Sequence, residues 1–84
     1  MLGKRDGGSV RKARIEDMRR RLKISLHLDA EMGASLEMTV AIFSLDMGIT
    51  EKRVLEYLGT IERAGYIAMD LGGDTLKILN REAL

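Results

Sequence analysis

Residues 39–79 read TVAIFSLDMGITEKRVLEYLGTIERAGYIAMDLGGDTLKIL, and this stretch decides the fold. A helix that Ser35 or Thr39 can cap runs to Met47, and Gly48 supplies the left-handed residue that ends it. Thr50 caps the next helix, residues 51–64, which sets Val54, Leu58 and Ile61 on one face at i, i+4 and i+7 before Gly65 terminates it. Two short strands follow, residues 66–69 and 75–79. The five residues between them, Asp70-Leu71-Gly72-Gly73-Asp74, are rich enough in Gly and Asp to close a hairpin.

Two helices joined by a tight glycine turn and followed by a hairpin form a specific arrangement. These residues resemble the winged helix-turn-helix domains of prokaryotic transcription regulators. That family's second helix typically reads Thr-Val, two variable residues, Leu-Ala, two variable residues, Leu-Gly-Ile; here Thr39, Val40, Phe43, Ser44, Met47, Gly48 and Ile49 occupy those places. Its recognition helix opens with Ser or Thr, carries three apolar residues at core spacing, and ends in Glu, Gly and an apolar pair; Thr50, Val54, Leu58, Ile61, Glu62, Gly65, Tyr66 and Ile67 fit. The resemblance covers about half of the chain and rests on core and turn positions. It implies a mainly α fold with a small β-hairpin wing, three helices plus a two- or three-stranded antiparallel sheet, in a DNA-binding transcription regulator.

Toward the N-terminus, Ile15, Met18, Leu22 and Leu26 recur at helical spacing. Asp29-Ala30-Glu31-Met32 continues with good helix formers to Gly33, a candidate C-cap, so a long first helix is expected. Residues 22–28 also alternate apolar and polar, the period of a half-buried strand; helix is the preferred reading. Residues 1–8, with Gly3, Gly7, Gly8 and three charges, read as a disordered basic tail, and residues 9–84 as a single winged-helix domain that frays again beyond Leu79.

A chain of 84 residues buries only about 60% of the surface it exposes unfolded, which leaves little room for an enclosed substrate cavity. The longest strictly apolar run, Val40-Ala41-Ile42-Phe43, is far short of a membrane span, and the N-terminus has no apolar signal core. The expectation is a soluble, cytoplasmic protein without a membrane partner. Its net charge of +1 hides an asymmetry. Residues 1–25 hold nine cations and three anions, a net of +6, whereas residues 26–84 hold five cations and ten anions, a net of −5. A basic arm joined to an acidic body points to phosphate as a partner, on nucleic acid or on an anionic surface.

On a helical wheel the core direction of the recognition helix leaves Lys52, Arg53, Glu56, Gly59, Thr60 and Arg63 outward, with Glu51 and Glu62 nearer the body. The expected DNA-binding residues are Lys52, Arg53, Glu56, Thr60 and Arg63, joined by Arg11, Lys12 and Arg14 of the arm. Lys52 and Arg53 would reach guanine edges in the major groove of double-stranded DNA, and Arg63 a phosphate. Gly59 costs roughly 1 kcal/mol in mid-helix relative to Ala and leaves room for a close approach, by a DNA backbone or another helix. The wing tip carries Asp70 and Asp74 and no cation before Lys77, which argues against a wing contact with phosphates.

The second helix is apolar nearly all round. Met38, Ile42 and Leu45, with Ala41, make a stripe beside the core stripe, to be covered either by the first helix or by the same surface of a second subunit. A homodimer with Met38, Ile42 and Leu45 at its interface is the expectation.

Catalysis has no candidate residues. There is no Cys; His27 is the single imidazole, so one chain holds no multi-histidine metal site; Ser9, Ser25, Ser35 and Ser44 lack a nucleophile-elbow context. No phosphate-binding glycine motif or calcium loop occurs, and Asp29 and Glu31 are too close in sequence to flank a cleft. No cofactor, metal or small-molecule substrate is evident. Two functions remain: a DNA-binding regulator, and a winged-helix protein–protein interaction module in which the acidic body and the apolar stripe do the binding.

Overall fold

In the computed structural model, which describes residues 7–25, 28 and 33–84, the chain runs as α1 (Gly7–Ile24), β1 (Ala34–Ser35), α2 (Leu36–Met47), α3 (Glu51–Arg63), β2 (Ile67–Asp70) and β3 (Thr75–Ile78). The strands form one antiparallel sheet in the order β1-β3-β2. Ala34 lies opposite Leu76 on one side of β3, and Ile67 opposite Ile78 on the other. Three helices with a turn between the last two, then a hairpin completed by a short third strand, make the winged helix-turn-helix layout expected from residues 39–79.

Polar side chains set where the elements begin. α2 starts after Ser35, whose Oγ accepts the Met38 N–H at 3.1 Å; Thr39, the other candidate cap, is buried and donates its hydroxyl to the Ser35 carbonyl at 2.8 Å. Asp74 completes this cap from the hairpin. Its carboxylate accepts the Ser35 hydroxyl at 2.8 Å and the Glu37 N–H at 2.7 Å, and its carbonyl accepts the Leu36 N–H at 3.2 Å. Donors that a helix start leaves unpaired are thereby satisfied, and an anion sits at the positive end of the helix dipole.

Gly48 ends α2 at φ 67°, where a side chain would be strained. The Ser44 carbonyl accepts N–H groups from Gly48 at 3.0 Å and Ile49 at 3.2 Å, while its hydroxyl donates to the Ile49 carbonyl, so one residue closes the whole turn. Thr50 then caps α3 by accepting the Arg53 N–H at 3.1 Å. At the far end Gly65 N–H reaches the Glu62 carbonyl at 2.9 Å and Tyr66 N–H the Ile61 carbonyl at 3.4 Å, the crossed pair of bonds that closes a helix into a strand.

The core lies where α1, α2, α3 and the inner face of the sheet meet. It comprises Met18, Leu22 and Leu28, then Leu36, Val40 and Phe43 of α2, Val54, Tyr57, Leu58 and Ile61 of α3, and Ile67 and Leu76 of the sheet. Each fully buried aliphatic or aromatic side chain contributes about 1.5 to 3 kcal/mol relative to exposure.

The bounds of α1 differ from those expected. α1 begins at Gly7, inside the stretch read as tail; residues 1–6 lie outside the described residues. It ends at Ile24, so Gly33 does not cap it. Gly33 instead packs on β3 at φ 86°, where a Cβ would come within 2.9 Å of the Leu76 carbonyl oxygen. Leu22, Lys23 and Ile24 are helical and Leu28 follows in a tight turn, its N–H on the Ser25 carbonyl at 3.1 Å. The alternating pattern therefore makes no strand of them: Leu22 and Leu28 are buried, whereas Ile24 is 71% exposed. Leu26, His27 and residues 29–32 lie outside the described residues.

Beyond Leu79 the chain turns back onto the domain. The Arg81 guanidinium donates to the carbonyls of Leu22, Lys23 and Ser25, closing the end of α1, and Leu84 packs on the core. Arg19 crosses from α1 to the Ala83 carbonyl at 3.0 Å and stacks over the Tyr66 ring at 5.0 Å.

The Asp74 cap carries a pH signature. Hydrogen bonds from the Glu37 N–H and then the Ser35 hydroxyl favour its charged form, so its pKa lies below the ordinary aspartate range. A carboxyl with a lower pKa folded than unfolded adds stability above that range and loses it as pH falls through the folded value. Asp74→Asn should therefore lower stability at neutral pH, and denaturant unfolding should find the difference from wild type shrinking as pH drops below about 4.

Candidate nucleic-acid interface

α3 divides cleanly. Val54, Tyr57, Leu58 and Ile61 are buried, while Lys52, Arg53, Glu56 and Arg63 are exposed. Thr60 and Gly59 are half-buried at the edge of the exposed face. Glu51, expected nearer the body, is exposed instead, whereas Glu62 turns to the sheet as expected and accepts the Met69 N–H of the outer strand β2 at 2.8 Å. The outward surface of α3 is thus more basic than its sequence.

Arg53 faces Glu56 one turn on, at 3.6 Å, with both side chains about half exposed. An exposed pair of this kind holds by only about 0.2 to 1 kcal/mol, so Arg53 can exchange Glu56 for another acceptor at little cost. Arg63 donates to the Thr60 hydroxyl at 3.2 Å.

The arm residues are not a separate element. Arg11, Lys12 and Arg14 are exposed on α1, and Arg11 crosses to α3: its Nη2 donates to Thr60 Oγ1 at 3.1 Å and its guanidinium lies 5.9 Å from the centre of the Tyr57 ring. Arg11 therefore belongs to the same surface as Thr60 and Arg63. The signals in the sequence were an Arg on a helical segment and an aromatic residue on α3, but their meeting depends on how α1 crosses α3.

At the wing, both aspartates are committed locally. Asp74 caps α2, and Asp70 accepts the Gly73 N–H at 3.1 Å to shape the tip. Leu71 is 74% exposed there, and with Leu36, Val40 and Leu55 it lines an open cleft rimmed by Glu37, Glu51 and Asp74. On α2, Met38, Ile42 and Leu45 are all exposed, at 63%, 40% and 83%, beside a shallow apolar groove that also takes in Ala34 and Thr39. Of the two covers considered for this stripe, α1 does not provide one among the described residues, because all three side chains remain exposed.

Among the described residues no helix is long and apolar enough to cross a membrane, and no three acidic, His or Cys side chains are gathered as a metal site. Comparison of the chain with protein-family models, with curated proteins and with solved structures gives no match.

Gly59 has no packing reason to be glycine. A Cβ built there meets only the Arg63 Nη1 atom, at 3.6 Å. Gly59→Ala should raise the unfolding free energy by about 0.5 to 1 kcal/mol in denaturant titration, since the helix gains propensity and nothing is displaced.

Proposed function

We propose that this protein is a DNA-binding transcription regulator of winged-helix type, with no catalytic activity, which binds duplex DNA as a dimer through α3 and the basic N-terminal segment. The observation that carries this reading is the cationic face of α3, Lys52, Arg53 and Arg63, extended by Arg11 from α1. On this reading the start of α3 enters the major groove, Lys52 and Arg53 read guanine O6 and N7, and Glu56 aligns Arg53 until a base replaces it. Arg63, Arg11, Lys12 and Arg14 meet phosphates, and Thr60 supports two of them. The wing, with Asp70 and Leu71 at its tip and no cation before Lys77, takes little part. The site of action is the cytoplasm, where a regulator of the prokaryotic kind finds its DNA.

The dimer follows from the open stripe on α2. Contact of Met38, Ile42 and Leu45 with the same residues of a second copy removes an apolar surface from water and repeats the α3 helices about a two-fold axis. A second reading, a winged-helix protein–protein interaction module, is favoured by the cleft of Leu36, Val40, Leu55 and Leu71 with its acidic rim.

Two measurements test these points. Arg53→Ala should weaken binding to the preferred site by about 1 to 3 kcal/mol and to random duplex much less; no binding of the intact chain to any duplex at low salt would turn the conclusion to the interaction module. Changing Ile42 and Leu45 together to Glu should leave the domain folded, since both are exposed, and shift sedimentation to the monomer. A dimer that persists through that change lies elsewhere.

A further inference from the structure

Two guanidinium groups converge on one neutral oxygen where α1 crosses α3. Arg11 Nη2 and Arg63 Nη2 both donate to Thr60 Oγ1, at 3.1 and 3.2 Å, while that hydroxyl donates to the Glu56 carbonyl at 3.3 Å. Both nitrogens lie within 3.2 Å of the same oxygen, which keeps them inside the screening length of about 8 Å in physiological salt, so their charges repel. Neither has a carboxylate partner among the described residues, where the Glu56 carboxylate faces Arg53 at 3.6 Å. Each guanidinium has five N–H donors, of which this contact uses one.

Two further observations bear on the same spot. The Arg11 guanidinium lies 5.9 Å from the centre of the buried Tyr57 ring, a second contact beside the Thr60 hydrogen bond that places this exposed side chain along α3. Gly59, one residue away from Thr60, is half-buried and carries no side chain, and a Cβ there would meet only the Arg63 Nη1 atom, at 3.6 Å.

We infer that Arg11, Thr60 and Arg63, approached over Gly59, form one anion site that takes a single phosphate diester of the duplex backbone and ties α1 to α3 on the DNA. This rests on the DNA-binding reading above and adds that Arg11 and Arg63 share one phosphate. A phosphate oxygen accepts charge-assisted hydrogen bonds, shorter and stronger than those a neutral hydroxyl accepts, and it neutralises both cations at once. The position is a register contact, indifferent to base sequence.

The test uses the full chain on mixed-sequence and preferred duplexes, in salt titrations of wild type, Arg11→Gln, Arg63→Gln and the double variant, with unfolding of each variant measured without DNA. Each single change should weaken binding about equally on both duplexes. Together they should lower the slope of log affinity against log salt by about one unit per bound domain, the value for one phosphate. A drop of about two units, or none, overturns the shared site. In parallel, the Arg11 and Arg63 Nε–H signals should move together when duplex is added; duplex binding that moves the Lys52 and Arg53 amides without them also overturns the site, while leaving DNA binding intact. Should the arginine variants unfold, Gly59→Ala retains both cations in a folded chain. It should weaken duplex binding several-fold, and unchanged binding counts against the approach over Gly59. If no duplex binds at low salt, DNA binding itself fails. Titration with inorganic phosphate then decides the rest: paired movement of the two signals assigns the site to free phosphate and overturns the DNA source, and no movement removes the site altogether.

Discussion

Burial of Val54, Tyr57, Leu58 and Ile61 along one side of α3 is the constraint on which the other features depend. α1 reaches this side with Met18 and Leu22, both fully buried, and the sheet with Ile67 and Leu76. Once these side chains are fixed, helical geometry leaves no choice about the opposite face: Lys52, Arg53, Glu56 and Arg63 must point to solvent. The same contact explains Arg11. Because α1 is laid against α3 by its apolar face, its first turns run past Tyr57 and Thr60, and a residue of the basic segment becomes part of the α3 surface.

Polar groups then lock the smaller elements to this frame. Ser44 closes the turn between α2 and α3, and Asp74 with Ser35 fastens the hairpin to the start of α2. Glu62 seals the edge of β2, and Arg81 closes α1 from the other end of the chain. Part of the acidic charge of the body is occupied in this way: Asp70 shapes the wing tip, and Glu62 and Asp74 accept backbone N–H groups. The formal charge of residues 26–84 therefore understates how basic the outward face of α3 is.

The apolar stripe of Met38, Ile42 and Leu45 stands apart from this frame. α2 is already anchored by Leu36, Val40 and Phe43 on its inner side, so the stripe adds nothing to the fold of one chain and leaves an exposed patch. That exposed stripe is the ground on which the dimer is proposed.

The sequence alone determined the elements that local chemistry controls. Gly48, Thr50 and Gly65 mark turns and caps by their own conformational and hydrogen-bonding properties, and the spacing of Val54, Leu58 and Ile61 requires no knowledge of a partner. For the same reason Lys52, Arg53 and Arg63 were legible as outward residues. The tertiary structure alone decided contacts between residues far apart in the chain. Arg11 on Thr60, Asp74 on the α2 N-terminus and Arg81 on the end of α1 span 49, 37 to 39 and 56 to 59 residues. The end of α1 at Ile24 was hidden for a related reason: residues 22–28 fit a strand period as well as the preferred helical one, and good helix formers continue to Met32. Packing of Leu22 and Leu28 against the core, with the Arg81 guanidinium on the freed carbonyls, chose between them.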